Sequence, residues 1–150
     1  MTREEFIEIL DRERYSYKIK EDKIVVTGNR HVYLNSLKTL PPDVEFNNRW
    51  DAGFELLETL PPGVKFNNGG YVDLRSLETL PPGTEFRNGD GVHAPSLKSI
   101  PPGTEFRNGG SINLRSLTGD YFFHDWKGNI EGIDSKRLLN VMIKQGVFER

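Results

Sequence analysis

Leu40-Pro41-Pro42, Leu60-Pro61-Pro62, Leu80-Pro81-Pro82 and Ile100-Pro101-Pro102 recur every 20 residues without one insertion. Paired prolines remove two backbone donors and fix two φ angles, so no helix and no central strand can run through them. Regular structure must therefore fit inside the interval. A chain with a fixed short period has no means of burying the apolar side chains of one unit within that unit, and folds by stacking units on one another.

Other columns keep the same period. Phe46, Phe66, Phe86 and Phe106 form one, and Asn48, Asn68, Asn88 and Asn108 another. A second run supplies Val32, Ala52, Val72, Val92 and Ile112, then Leu34, Phe54, Leu74, Ala94 and Leu114, then Leu37, Leu57, Leu77, Leu97 and Leu117. An earlier half-unit, Ile24-Val25-Val26, fits the frame with Val26 in the Phe column. The spacings Val64-x-Phe66 and Val72-x-Leu74 have the period of two that marks a half-buried strand. Each unit thus reads as one coil of two short strands and a Leu-x-x-Leu segment. Its corners fall at Pro-Pro-Gly, where Gly63 supplies the positive φ of a type II turn, and at Asn-Gly. Asp43 stands where later units have that glycine. The Asn column is expected to form a hydrogen-bonded ladder along the stack, satisfying turn backbone.

The expected fold class is an all-β solenoid with α-helical caps at both ends. It forms one domain over 1–150: an N-terminal helix and strand cap over 1–23, the stack over 24–119 and a capping segment over 120–150. Open ends of a stack pair with other molecules unless covered. Thr2 and Glu5 form a capping box for a first helix with Phe6, Ile7, Ile9 and Leu10 on one face. The stretch 15–24 alternates around Glu21-Asp22 as a hairpin does. Asp134 opens a second amphipathic helix over 134–145, and the aromatic run 120–126 is read as packing that joins it to the last coil.

Composition narrows the function classes. A net charge of −2 and a pI near 5.9 supply no overall cationic field, which argues against a general nucleic-acid or anionic-membrane binder. Cysteine is absent, so disulfides, thiolate metal sites and cysteine nucleophiles are excluded. No apolar run resembles a secretion signal or a membrane span. The expected setting is a cytoplasmic monomer without cofactor, and neither His93 nor His124 has a second ligand at metal-binding spacing.

The Leu-Pro-Pro-Gly-Val-x-Phe run and recurrent Asn resemble bacterial leucine-rich-repeat proteins with short units, and equally the coils of right-handed β-helices. The resemblance covers 24–119 and is architectural. Asn68 follows Phe66 by two, and each unit holds a second alternating strand; both favour the β-helix-like form. Some short-repeat bacterial effectors carry a ubiquitin ligase with a catalytic cysteine, which this chain lacks.

Uniform columns are explained by stacking; divergent columns are either free to differ or made to differ by a partner. Beside the Phe column, Glu45, Lys65, Glu85 and Glu105 face outward next to Asn47, Asn67, Arg87 and Arg107. This is a solvated face with a diagonal Glu85–Arg107 pairing expected across coils. The second strand varies more. Its outward columns are Tyr33, Gly53, Asp73, His93 and Asn113, then Asn35, Glu55, Arg75, Pro95 and Arg115. Stacking puts Asp73, His93 and Asn113 in one row, with Arg75 and Arg115 alongside and Trp50, Asp51, Tyr71 and Asp90 at the corner. The candidate binding residues are Trp50, Tyr71, Asp73, Arg75, His93, Asn113 and Arg115; no catalytic residue is assigned. The expected function is a non-catalytic interaction or scaffold module whose partner is another protein. The β-helix resemblance implies the alternative, a carbohydrate-active enzyme or carbohydrate-binding protein. There Asp73 with Asp51, Glu55 or Asp90 would supply two carboxylates about 5 to 9.5 Å apart.

Overall fold

The computed structural model describes residues 1–101, 103–114 and 130–131, and these form a β-solenoid entered through one helix. In chain order the elements are α1 (Arg3–Arg12), β1 (Ser16–Lys20), β2 (Lys23–Thr27), β3 (Val32–Tyr33), β4 (Val44–Phe46), β5 (Ala52–Gly53), β6 (Lys65–Phe66), β7 (Val72–Asp73), β8 (Glu85–Phe86), β9 (Val92–His93), β10 (Glu105–Phe106), β11 (Ile112–Asn113) and β12 (Ile130–Glu131).

Helix α1 starts where its cap demands. Thr2 Oγ1 accepts from the Glu5 N–H at 3.1 Å, and Glu4 and Glu5 place negative charge in the first turn, where the helix dipole favours it. Phe6 and Leu10 are fully buried, with Ile7 and Ile9 packed partly against the same core. β1 and β2 then pair antiparallel from Ser16 opposite Thr27 to Lys20 opposite Lys23. Glu21 takes the positive φ of their tight turn, at 58°.

From β2 onward each coil contributes one strand to each of two parallel sheets. The first sheet has the order β1-β2-β4-β6-β8-β10, and the second β12-β11-β9-β7-β5-β3. Register follows the 20-residue period: Val26 lies opposite Phe46, Phe46 opposite Phe66, Phe66 opposite Phe86 and Phe86 opposite Phe106. The phenyl rings stack with centroids 5.7, 5.3 and 5.1 Å apart and planes within 9°. All four are buried, each contributing about 2 kcal/mol of burial besides the ring contact. The second strand ends in a turn closed by Leu57 N–H on Phe54 O, Leu77 N–H on Leu74 O and Leu97 N–H on Ala94 O. Buried side chains from both sheets and these turns form one core cluster with α1.

Corner chemistry follows the expected columns. Gly63, Gly83 and Gly103 adopt φ of 82°, 80° and 82°, and Asp43 adopts 61° in the same place. The Asn ladder runs through backbone. Asn88 Nδ2 donates to Asp90 O and Gly91 O in its own turn, at 2.9 and 3.0 Å, and to Gly70 O of the preceding coil at 3.1 Å. Asn48, Asn68 and Asn108 repeat the pattern, reaching Arg30 O, Trp50 O and Asp90 O one coil back. Among the described residues the Oδ1 atom of each has no hydrogen-bond partner.

On the outer face of the first sheet, described ion pairs close along a strand: Glu85 with Arg87 and Glu105 with Arg107, both at 3.4 Å. The diagonal reach expected of Glu85 and Arg107 is made by Asn67 Nδ2 on Glu45 Oε1, at 2.8 Å. A short i, i+2 path costs a long side chain less rotamer freedom than spanning coils.

The N-terminal end of the stack is covered in two ways. β1 lies along the edge of the first sheet, with Lys18 and Lys20 exposed on it. The edge strand of the second sheet, β3, meets one hydroxyl: Tyr15 OH accepts from the Tyr33 N–H at 3.0 Å and donates to Tyr33 O at 3.2 Å. Arg30 lies over the Tyr15 ring, 4.6 Å from its centroid, and donates to Arg14 O. α1 is the one helix among the described residues; the helix expected over 134–145 and the run 120–126 lie outside them. No helix among the described residues is long and apolar enough to cross a membrane.

Candidate functional site

The outward face of the second sheet carries the varied residues in the expected register. Tyr33 lies opposite Gly53, Gly53 opposite Asp73, Asp73 opposite His93 and His93 opposite Asn113. Asn113 Nδ2 approaches His93 Nδ1 at 3.3 Å, and the Tyr71 ring stacks on His93 with centroids 6.2 Å apart. Asp73, His93, Asn113 and Tyr71 are thus brought together. Arg115 lies outside the described residues.

Three successive coils put a three-by-three array of side chains on this face, and its centre is Gly53. Gly53 itself is buried, and a depression with a volume of about 220 Å³ opens beside it. Tyr33 leans over it from one side: a Cβ at Gly53 would sit 2.7 Å from Tyr33 Cδ1 and 3.1 Å from Asn35 Oδ1. Asp51 and Glu55 flank the glycine along its strand, and Tyr71, Asp73 and Arg75 form the far wall.

The carboxylates of the rim are engaged. Arg75 Nη2 reaches Asp73 Oδ2 at 2.6 Å, Arg75 Nε reaches the same oxygen at 3.1 Å, and Arg75 Nη1 reaches Glu55 Oε1 at 2.8 Å. The Arg75 backbone N–H also donates to Asp73 Oδ1, at 3.1 Å. Hydrogen bonding and charge from Asp73 hold the guanidinium above its ordinary pKa. Asp51 Oδ1 accepts from the Tyr71 N–H at 2.8 Å, and the Asp51 backbone N–H donates to His31 Nδ1 at 3.2 Å. Asn35 Oδ1 accepts from the Glu55 N–H at 3.1 Å, leaving its amide NH₂ as a donor.

Trp50 stands beside this array. It is 44% exposed, donates from Nε1 to Asn29 Oδ1 at 3.1 Å, and has Arg49 over its ring at 5.3 Å. His31 bridges it to the depression, stacking on Tyr33 at 5.6 Å with nearly parallel planes and lying 6.1 Å from Trp50. Asp90 turns away to accept from its neighbour's N–H, Gly91, at 2.8 Å. Tyr33, Glu55, Asn35 and His31 join the site without having been singled out as binding residues. The available signal was Gly53, a bare position in an outward column otherwise filled by side chains.

Among the described residues no group of three or more His, Cys, Asp or Glu side chains is placed to hold a metal ion. No family model matches the chain, and comparison with curated proteins and with solved structures finds no match.

Proposed function

We propose that this chain is a non-catalytic interaction module that presents the outward face of its second sheet to a macromolecular partner, with a protein as the expected partner. One observation carries the reading: side chains that differ in chemistry from coil to coil, Tyr33, Asp73, His93 and Asn113, stand in register on a ladder whose buried columns are apolar throughout. A rigid stack fixes the distances at which such residues are read. Two strands per coil support the β-helix-like form over the leucine-rich-repeat form.

The alternative, carbohydrate-active reading is supported by the depression and its acidic rim, but the Arg75 contacts favour binding over hydrolysis. Hydrolysis needs two carboxylates free to flank a bond, and here Asp73 and Glu55 are both tied to the one Arg75 guanidinium. The test is a pull-down with Trp50→Ala, Tyr71→Ala and His93→Ala variants beside a Lys65→Glu control on the opposite sheet. Loss of bound partners in the first three and retention in the control is the expected pattern. Identical partners for all four would remove this face from consideration.

A further inference from the structure

We infer that the N-terminal corner of this face, built by Arg30, Arg49 and Trp50, is the docking point for an acidic segment of the partner protein. The inference rests on the reading of this face as the recognition face, and names the chemistry that the partner brings to it.

The arginines described on the coils divide in two. Arg75, Arg87 and Arg107 each close on a carboxylate. Arg30 and Arg49 have no carboxylate partner among the described residues; each guanidinium lies over an aromatic ring, Arg30 over Tyr15 at 4.6 Å and Arg49 over Trp50 at 5.3 Å. The two stand in adjoining coils, where Asn48, next to Arg49, donates to Arg30 O at 3.2 Å. A stacked guanidinium keeps its planar N–H edge for a carboxylate and gives up little further freedom when one arrives. Arg14, whose carbonyl accepts from Arg30, is exposed and adds a third cation without a carboxylate partner among the described residues. The acidic neighbours are engaged elsewhere: Asp51 accepts from the Tyr71 N–H, and Glu13 lies 3.8 Å from Arg12.

Trp50 gives the corner an apolar anchor. It is 44% exposed and its N–H is taken by Asn29, so the indole offers hydrocarbon rather than a donor. The matching places in the next coil are Gly69 and Gly70, where a Cβ would meet backbone of the coil before at 2.0 and 2.9 Å. Arg49 and Trp50 therefore stand at a step, with no side chain at those two places to cover them. Trp and Arg are the residues that most often carry the binding energy of a protein interface. A nucleic-acid strand suits the corner less well, because its phosphates would run on into Asp51, Glu55 and Asp73 along the same face. A protein segment can set its carboxylates at the corner and uncharged residues beyond it.

The probe is a library of random linear peptides displayed on phage and selected on the full chain. Recovered sequences should hold Asp or Glu beside a large apolar residue, and a synthetic peptide of the recovered sequence should bind more weakly as salt rises. Arg49→Ala should weaken that peptide roughly tenfold, and Trp50→Ala at least as much. Arg49→Lys should recover only part of the loss, because an ammonium does not stack as a guanidinium does. The Arg49 side chain makes no hydrogen bond or ion pair among the described residues, so Arg49→Ala should melt as the unchanged chain does. Arg87→Ala is the control and should leave binding unchanged. Recovered peptides without acidic residues, no recovered peptide, undiminished binding by Arg49→Ala, or tighter binding of a single-stranded oligonucleotide than of the peptide would each overturn the inference. In the pull-down, loss of partners by His93→Ala with retention by Arg49→Ala would also overturn it, and would leave the recognition face standing without this corner.

Discussion

Glycine serves this coil in two distinct ways, and substitution separates them. Gly83 has φ of 80° with nothing within 4 Å of where a Cβ would stand. Gly83→Ala should therefore cost only the left-handed backbone, about 1 kcal/mol. Gly89 has no such φ, but a Cβ there would lie 2.3 Å from the Gly69 carbonyl oxygen of the preceding coil. Gly89→Ala must push two coils apart at a cost of about 1–3 kcal/mol, so urea midpoints should rank the unchanged chain, then Gly83→Ala, then Gly89→Ala. Equal midpoints for the two variants would mean that coil spacing yields freely. Tyr17 carries a pH dependence of its own. Its hydroxyl donates to Asp11 Oδ1 at 2.9 Å, and that bond, with partial desolvation and the carboxylate's charge, raises its pKa above the ordinary 10.0. A raised value means the contribution is complete below the unfolded pKa and is lost as pH climbs through the folded one. Thermal melts of Tyr17→Phe should accordingly lose less on alkaline titration than melts of the unchanged chain; identical alkaline losses would show that Asp11 contributes nothing there.

Within an element, the Asn ladder does for the corners what strand pairing does for the sheets. Each carboxamide gathers carbonyls that turn geometry leaves without N–H partners, including one from the coil before. Asn88→Ala should cost about 1–3 kcal/mol by leaving those carbonyls unpaired. Asn88→Asp should cost more, because a carboxylate would face the same three oxygens; an Asp variant as stable as the Ala variant in chemical denaturation would contradict this. The columns behind these statements were legible because stacking demands the same chemistry every 20 residues. That demand also put Asp73, His93 and Asn113 in one row before any coordinates, and the hairpin around Glu21-Asp22 was readable from alternation. Rotamer choices were not. Arg87 and Arg107 turn to the Glu on their own strand, and Arg75 gathers Asp73 and Glu55 at once, alternatives that spacing leaves equal. The depression was hidden for another reason. It depends on Tyr33 lying over a bare position of the next coil, and Gly53 is one of 15 glycines, most of which serve turns.

For the whole molecule, the question is how a stack stops. At the N-terminal end the first sheet is closed by an added antiparallel strand, the second by Tyr15 OH on both outward main-chain groups of Tyr33. Tyr15→Phe should cost about 0.5–1.5 kcal/mol and leave β3 open to pairing with another molecule. Sedimentation should then show more concentration-dependent association than in the unchanged chain, and equal association would mean that α1 and β1 suffice. The uniform period has a further consequence: length in this protein is quantised. Excising 70–89 would join Gly69 to Asp90 and set Val92 beside Ala52, Phe106 beside Phe66 and Asn108 beside Asn68, each meeting the kind of neighbour it already has. Removing a single residue from a strand would instead turn its inward side chains to water. The twenty-residue excision should still melt cooperatively, while the single deletion should not. What the excision would erase is Tyr71, Asp73 and Arg75, one line of the inscription on the outer surface. The scaffold can be copied or cut by whole lines, and the message on it rewritten one line at a time.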